Sequence, residues 1–313
     1  MVRQESSLRE AYGHALVDLG RENPDIVVLD ADLSKSTMTQ FFAGEFPERF
    51  FDCGIAEQNM VGIAAGLAAS GKIPFASTFA VFLPGRCFDQ VRLSVAYPGL
   101  NVKLVTTHSG ITVGEDGVSH QSIEDLSLVC TLPGFTVIVP ADAIETVQAI
   151  RIAATTEGPF YIRLCRPKLP VVYDDGYRFN LGKAVVMRPG SDVTITAIGT
   201  MIAAAIEAAD SLQKEDINCR VLNMPTLKPI DESAINRAAE ETGAIVTAEE
   251  HLEQGGLGSI VARIVAGQAP VPMEFVAMKD TYAESGKPAE LLEKYGLTAK
   301  HIERAVRAVL KRK

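Results

Sequence analysis

Short apolar runs rich in β-branched residues alternate with segments of helical periodicity along most of the chain. This alternation predicts parallel sheets with helices on both faces, which is a three-layer α/β fold. The predicted strands are "DIVVLD" (25–30), "KIPFAST" (72–78), "NVKLVTT" (101–107), "FTVIVP" (135–140), "PFYIRL" (159–164), "DVTITAIG" (192–199), "CRVLNM" (219–224) and "AIVTAEE" (244–250).

One segment interrupts the alternation. "RPKLPVVYDDGYRFN" (166–180) contains two prolines and an Asp-Asp-Gly turn, and we interpret it as a linker. The chain is therefore predicted to divide into two α/β domains, at about residues 1–170 and 181–313. In the second domain, Asp231 is predicted to cap the start of a helix and Gly243 to end it.

Residues 54–71, "GIAEQNMVGIAAGLAASG", contain a single ionisable side chain, that of Glu57. The rest of the segment has no charge and no aromatic ring, which predicts a helix packed closely on all sides. No basic residue lies one helical turn beyond Glu57, so the helix itself offers no counter-ion. A carboxyl group buried without a cation has a raised pKa and can hold and share a proton. The alternative is that Glu57 pairs with an arginine distant in sequence.

Composition and charge narrow the function classes. Of the 313 residues, 47% are hydrophobic and 22% are charged, which predicts a globular protein. The net charge of -9 argues against a nucleic-acid binder. The five cysteines are scattered without a C-x-x-C pair, a reduced pattern with no disulfide framework or zinc site. The chain also has no apolar run of membrane-spanning length and no signal peptide, so we expect a cytoplasmic protein that does not bind membranes.

The segment "THSGITVGEDGVSHQ" (107–121) follows a predicted strand. Loops at the carboxyl ends of parallel strands are where α/β proteins bind ligands. His108 and His120 can exchange protons near neutral pH, and Asp116 can accept hydrogen bonds from hydroxyl groups. The spacing indicates no metal site of a known kind. Taken alone, the segment is also compatible with a solvated surface loop.

Other candidate positions are weak when taken singly. Phe79 and Phe82 in "STFAVF" (77–82) are either core residues or a cofactor clamp. "LDADLSKST" (29–37) ends a strand with polar residues that are compatible with a capped turn. "RLCRPKLP" (163–170) places Arg163 and Arg166 at another strand end, where an arginine can grip a phosphate. The glycines of "EEHLEQGGLGSIVARIV" (249–265) favour helix packing or an interface over phosphate binding.

Three motifs together carry a resemblance to a known family. "GIAEQNM", "STFAVF" and "HSGITVGEDGVSHQ", in this order, resemble the pyrimidine-binding domain of the thiamine-diphosphate-dependent transketolases. The resemblance continues into the family's C-terminal domain and covers essentially the whole chain. It implies two doubly wound, three-layer α/β domains with largely parallel sheets, the second sheet being mixed.

The resemblance implies cofactor roles for three residues. Glu57 matches the glutamate that reaches N1′ of the cofactor's aminopyrimidine ring and favours its imino form, which prepares the reactive carbon. Phe79 and Phe82 match the rings that flank the aminopyrimidine. The family often has a third ring three residues later, where this chain has Gly85.

The resemblance also implies catalytic roles for Glu57, His108 and His120, and contacts with a sugar phosphate. The histidines match positions near the substrate carbonyl, Asp116 a position that contacts a hydroxyl group. Ser109 stands where the family usually has aspartate. No metal ligand is expected in this chain. The expected substrate-binding residues are Arg9, Asp32, Ser36, His108, Asp116, His120 and Arg166.

The implied reaction is the transfer of a two-carbon ketol unit between sugar phosphates. The family's Gly-Asp-Gly motif for the diphosphate and Mg²⁺ is not found in the sequence. We therefore expect the C-terminal subunit of a split transketolase, which self-associates and is active only with an N-terminal subunit that binds the diphosphate and the metal. The alternatives are the β subunit of a 2-oxo acid dehydrogenase E1 component and a non-catalytic scaffolding subunit.

Overall fold

The computed structural model describes residues 4–313, so the first three residues of the predicted first domain lie outside the described part. Short 3-10 helices lie at Pro47–Arg49, Ile111–Asp116 and Gln213–Glu215, and a π-helix lies at Val91–Ala96. The other elements are, in chain order, β1 (Glu5–Ser6), α1 (Leu8–Glu22), β2 (Ile26–Asp30), α2 (Ser34–Thr37), α3 (Gln40–Glu45), β3 (Phe50–Asp52), α4 (Glu57–Ala69), β4 (Ile73–Phe79), α5 (Leu83–Arg86), α6 (Phe88–Gln90), β5 (Lys103–Thr107), α7 (Asp125–Cys130), β6 (Thr136–Ile138), α8 (Ala143–Thr155), β7 (Phe160–Arg163), β8 (Leu169–Pro170), β9 (Val185–Arg188), β10 (Val193–Ala197), α9 (Met201–Leu212), β11 (Cys219–Asn223), β12 (Thr226–Lys228), α10 (Glu232–Thr242), β13 (Ile245–Leu252), α11 (Leu257–Gln268), β14 (Met273–Met278), α12 (Pro288–Lys294) and α13 (Ala299–Leu310).

The first sheet has the strand order β12–β6–β7–β5–β4–β2–β3. All neighbouring strands are parallel except β12, which pairs antiparallel with β6. The inner strands are apolar on both faces because helices cover both sides. Thus Ile26 and Val28 of β2 pack with α1 and α8, whereas Val27 and Leu29 pack on the side of α4 and α7. The predicted α/β fold with a largely parallel sheet is confirmed.

The second sheet has the order β14–β13–β10–β11–β9 and is mixed, as expected, because β9 is antiparallel to β11. Helices α9 and α13 pack on one face, and α10 and α11 on the other. Asp231 caps α10 by accepting a hydrogen bond from Ala234 N–H, and Gly243 ends this helix at φ 65°. The short strand β12 belongs to the first sheet, although it lies in the second predicted domain, so the division at about residues 170–181 stays a prediction.

Helix α4 forms as predicted, but the prediction that it is packed on all sides is wrong for this structure. Met60, Val61 and Ala64 are buried, but the opposite face is exposed. No described atom lies within 4 Å of a Cβ added at Gly62 or Gly66. A run without charges can therefore present an uncharged face to solvent, which periodicity alone does not distinguish from burial.

A buried ion pair lies between the two sheets. Arg163 at the end of β7 donates from Nε to Asp125 of α7 at 2.8 Å, and both side chains are buried. Its Nη2 also donates to the main-chain oxygens of Ser122 (3.2 Å) and Glu250 (3.0 Å). Burial acts to raise the pKa of Asp125, but the charge of Arg163 overrides it and the pKa is lowered. Arg163 is thus a structural residue, and its suggested role as a phosphate ligand is wrong for this structure.

We predict that Asp125→Ala destabilises the protein by about 3–5 kcal/mol, because it leaves a buried guanidinium without its counter-ion. Urea unfolding of the isolated chain measures this loss. Glu22→Ala is the control, since Glu22 pairs with Arg151 at 2.9 Å on an exposed surface and exposed pairs contribute little. Equal unfolding midpoints for the two variants would contradict a central role of the buried pair.

Candidate active site

Four aromatic and imidazole rings cluster at the carboxyl ends of β4 and β5. The rings of Phe79 and Phe82 stack with centroids 5.6 Å apart. His108 stacks on Phe79 at 3.8 Å, and His120 meets Phe82 edge-on at 5.4 Å. The structure therefore brings together residues from two separate sequence motifs, at the edge of the sheet where parallel α/β folds bind ligands.

His108 is held in an unusual backbone conformation and a buried position. Its φ of 57° lies in the left-handed region, and Thr107 Oγ1 lies 2.9 Å from its Nδ1. Burial lowers the pKa of His108 to about 3, and the nearby charges of Arg9 and Arg166 act in the same direction. The imidazole is therefore neutral near neutral pH and can donate or accept a hydrogen bond without carrying charge.

Glu57 is the first residue of α4, and its carboxylate is 5% exposed. Arg86 Nη1 donates to Glu57 Oε1 at 2.9 Å, so the structure shows the alternative, a pair with an arginine distant in sequence, and not a carboxyl group without a cation. The guanidinium also lies over the ring of Phe82, 4.1 Å from its centroid. Arg86 thereby connects Glu57 to the ring cluster. It follows Glu57 by 29 residues, which a search for partners within one helix does not reach.

The position of Gly85 is open. No described atom lies within 4 Å of a Cβ added there. A third aromatic ring is thus replaced by free space and, one residue later, by the guanidinium of Arg86 over Phe82. The Arg86 side chain is 48% exposed, so it can move away from Glu57 without disrupting the core.

Two arginines lie beside His108 on the other side of the cluster. Arg9 Nη1 donates to the main-chain oxygen of Ser36 at 2.7 Å, while its buried Nε has no hydrogen-bond partner among residues 4–313. Arg166 Nη1 donates to the main-chain oxygen of Val113 and lies 3.5 Å from Asp116 Oδ2. Asp116 and Arg166 therefore contact each other, and Arg9 retains a free donor.

The turn after β2 is shaped by Asp30, which lies in the segment that the sequence marked as compatible with a capped turn. Burial raises the pKa of Asp30 to about 6, although the hydrogen bonds that Asp30 accepts from Thr37, Leu33 and Thr39 act to lower it. The turn places Asp32 in the left-handed region at φ 61°, with an exposed side chain. A strand-terminal aspartate followed by threonines was the available signal for this arrangement.

The donor set fits an aromatic nitrogen heterocycle better than a metal ion. The Glu57 carboxylate offers a hydrogen-bond acceptor, and the two phenylalanine rings, to which Arg86 connects it, offer stacking surfaces. Residues 4–313 contain no group of three or more His, Cys, Asp or Glu placed to hold a metal. None of the helices in this part of the chain has the length and apolarity to cross a bilayer.

Comparisons with known proteins agree on one family. The transketolase pyrimidine-binding domain matches residues 4–172, and the transketolase C-terminal domain matches residues 182–302. A putative transketolase C-terminal section from Methanocaldococcus jannaschii is 43% identical over 97% of this chain and 96% of its own length. The 6-deoxy-6-sulfo-D-fructose transketolase subunit SqwH of a Clostridium species is 44% identical over 99% of this chain and 96% of its own length.

Two further relatives differ in how much of their own length this chain matches. Human transketolase is 40% identical over 96% of this chain, but this match covers only 49% of the human protein. A solved structure described as a split gene transketolase, an inactive β4 tetramer, has a TM-score of 0.92 and 54% identity, covering 97% of this chain and 98% of its own. The chain therefore spans nearly all of some relatives and about half of others.

We predict that His108 remains neutral at about pH 5 in the isolated chain, because its environment opposes protonation. Nitrogen-15 NMR of the histidine rings, followed through a pH titration, measures this. In Arg166→Met the pKa of His108 should rise, since one neighbouring positive charge is removed. A His108 that titrates near pH 6.5, the ordinary value for the residue, would contradict the buried placement of the ring.

Proposed function

This chain belongs to the transketolase family, and we propose that it is the pyrimidine-side subunit of a split transketolase that transfers a two-carbon ketol unit between sugar phosphates. The observation that carries the proposal is that Phe79, Phe82 and His108 form one ring cluster at a strand-end edge, and that Arg86 connects Glu57 to it. The relatives described as a C-terminal section and as a split gene transketolase support the division into two chains.

Thiamine diphosphate fits the donor set, and when bound it would supply the carbon nucleophile for cleavage of the ketose. Glu57 is proposed to hold a proton at a nitrogen of the pyrimidine ring, which requires Arg86 to release the carboxylate. Phe79 and Phe82 offer ring faces for stacking. The diphosphate and its Mg²⁺ are assigned to the partner subunit.

The substrate is proposed to lie along the loop that carries His108 and Asp116. Neutral His108, together with His120, can hydrogen-bond the substrate carbonyl and move a proton at its oxygen. Asp116 accepts from a sugar hydroxyl group, and Asp32 and Ser36 lie at the neighbouring strand end. The phosphate is assigned to the two arginines beside the site, Arg9 and Arg166, because guanidinium groups bind oxyanions through two hydrogen bonds.

A sulfonated sugar is a second candidate substrate. The relative that is 44% identical is described as a subunit of a 6-deoxy-6-sulfo-D-fructose transketolase. A sulfonate presents oxygens to the same two arginines, but with one negative charge instead of nearly two. Parallel assays with phosphorylated and sulfonated ketoses distinguish the two.

An exposed apolar surface beside Glu57 supports assembly with another chain. Ile55 is 78% exposed, Phe51 is 39% exposed and Ile63 on the outer face of α4 is 37% exposed. Apolar side chains grouped in this way are typical of surfaces covered in a complex. We propose that the partner subunit and a second copy of this chain cover them.

The central test is complementation by the partner. The isolated chain should bind thiamine diphosphate negligibly, because it lacks the ion-mediated diphosphate contacts, and should show no transketolase activity. Adding a subunit with the Gly-Asp-Gly domain should restore both, as measured by calorimetry and a coupled sugar-phosphate assay. Full activity from this chain alone would overturn the split arrangement. Decarboxylation of pyruvate by the complex, without sugar turnover, would favour the 2-oxo acid dehydrogenase alternative.

In the assembled complex, we predict that Glu57→Gln loses about 10²–10⁴-fold in kcat, the usual contribution of a positioned acid or base. Cofactor binding should persist, since stacking and diphosphate contacts remain. Calorimetry measures the cofactor affinity and the coupled assay measures kcat. Glu232→Gln is the matched control, because Glu232 is also the first residue of a helix but lies far from the cluster. Near-normal turnover of Glu57→Gln would remove Glu57 from the mechanism.

A further inference from the structure

The loop at residues 107–122 carries His108 and Asp116 but is not held by the first sheet alone. It closes on itself where Gly110 N–H donates to the Ser122 oxygen at 2.8 Å. Between these ends, the segment Ile111–Asp116 packs against α12 of the second predicted domain. Something outside the loop must fix this segment for His108 and Asp116 to keep their places.

The loop is fastened to Glu250, a buried residue of β13 in the second sheet. Thr112 N–H donates to Glu250 Oε1 at 2.7 Å, and Thr200 Oγ1 donates to Glu250 Oε2 at 2.9 Å. Both carboxylate oxygens are therefore engaged, one by the loop and one by the residue that precedes α9. The bond from Thr112 crosses 138 positions of sequence.

The packing at Gly110 shows how closely the carboxylate approaches the loop. A Cβ added at Gly110 would lie 2.1 Å from Glu250 Oε1. Gly110 also has φ +75°, a conformation that residues with a side chain rarely adopt. The glycine is thus required both by the turn and by the carboxylate that lies against it.

We propose that Glu250 is a positioning residue for the reaction, which sets the place of His108 and Asp116 through Thr112. Thr112 lies four residues after His108 and four before Asp116, so its amide is the midpoint of the segment. When this amide is held, His108 stacks on Phe79 and Arg166 reaches Val113. The second domain contributes no side chain to the ring cluster, but its Glu250 carboxylate holds the midpoint of the segment, beside the hydrogen bond from Gln121 Nε2 to the Glu284 oxygen at 3.0 Å.

The first test uses the isolated chain and does not depend on the proposed function. In Glu250→Ala, amide hydrogen exchange in residues 109–117 should become about tenfold to a hundredfold faster, because a hydrogen bond to a buried charged group is lost. Exchange in β10 should be unchanged. Glu253→Ala is the matched control, since Glu253 follows on the same segment but pairs with Lys279 at 2.5 Å, away from the loop. Unchanged exchange in the loop, or equal acceleration throughout the chain, would overturn the proposal.

The second test uses the holo complex and rests on the proposed function. Glu250→Ala should lower kcat and raise KM for the ketose phosphate, with cofactor affinity unchanged. Glu250→Gln should recover most of the activity, because its amide oxygen accepts from Thr112 N–H and its amide nitrogen donates to Thr200. Wild-type kinetic constants in a folded Glu250→Ala complex would overturn the positioning role. An inactive wild-type complex would instead count against the proposed function, while the exchange result still decides whether Glu250 holds the loop.

Discussion

The buried charge of Arg163 is the constraint on which the arrangement of the two sheets depends. A guanidinium taken out of water is tolerated only when its donors are satisfied, and here Asp125, the Ser122 oxygen and the Glu250 oxygen do so. These three acceptors come from α7, from the end of the His108 loop and from β13. Because one side chain must reach all of them, the first sheet, the loop and the second sheet have a fixed relative position. The candidate site at the strand ends lies next to these contacts of Arg163.

The buried charge of Glu57 is compensated in a different way from that of Arg163. Its carboxylate is buried at the start of an uncharged helix, and in the isolated chain its partner is the half-exposed Arg86. Such a pair contributes less than a fully buried one, because water competes for the guanidinium. The carboxylate is therefore stabilised in the absence of a partner chain but is not committed to that contact. In the proposed function, cofactor binding at a site shared with the partner subunit has to displace this contact.

Sequence patterns predicted the α/β fold and the caps of α10, because apolar periodicity and cap residues act locally. The mixed second sheet was implied by the family resemblance. The patterns also marked Phe79, Phe82, His108 and His120, which the structure places in one cluster. What they missed depends on distant contacts. Strand β12 is three residues long and is defined only by its pairing with β6. Arg86 and Glu250 act across 29 and 138 positions of sequence, and no local pattern encodes such contacts.

The chemical consequence of this architecture is a division of roles between rigid and exchangeable groups. His108 is fixed by stacking, by Thr107 and by a loop fastened to the second sheet, and its burial among positive charges keeps it neutral. Glu57 and Arg86 form a contact that can be exchanged at the exposed edge. In the proposed function, proton transfer at the sugar needs a preorganised group, because misplacement by about 1 Å is costly to rate. Cofactor binding, in contrast, needs a Glu57 carboxylate that can exchange Arg86 for another hydrogen-bond partner. The apolar surface around Ile55 lies on the exchangeable side, where, in the proposed function, a second chain completes the site.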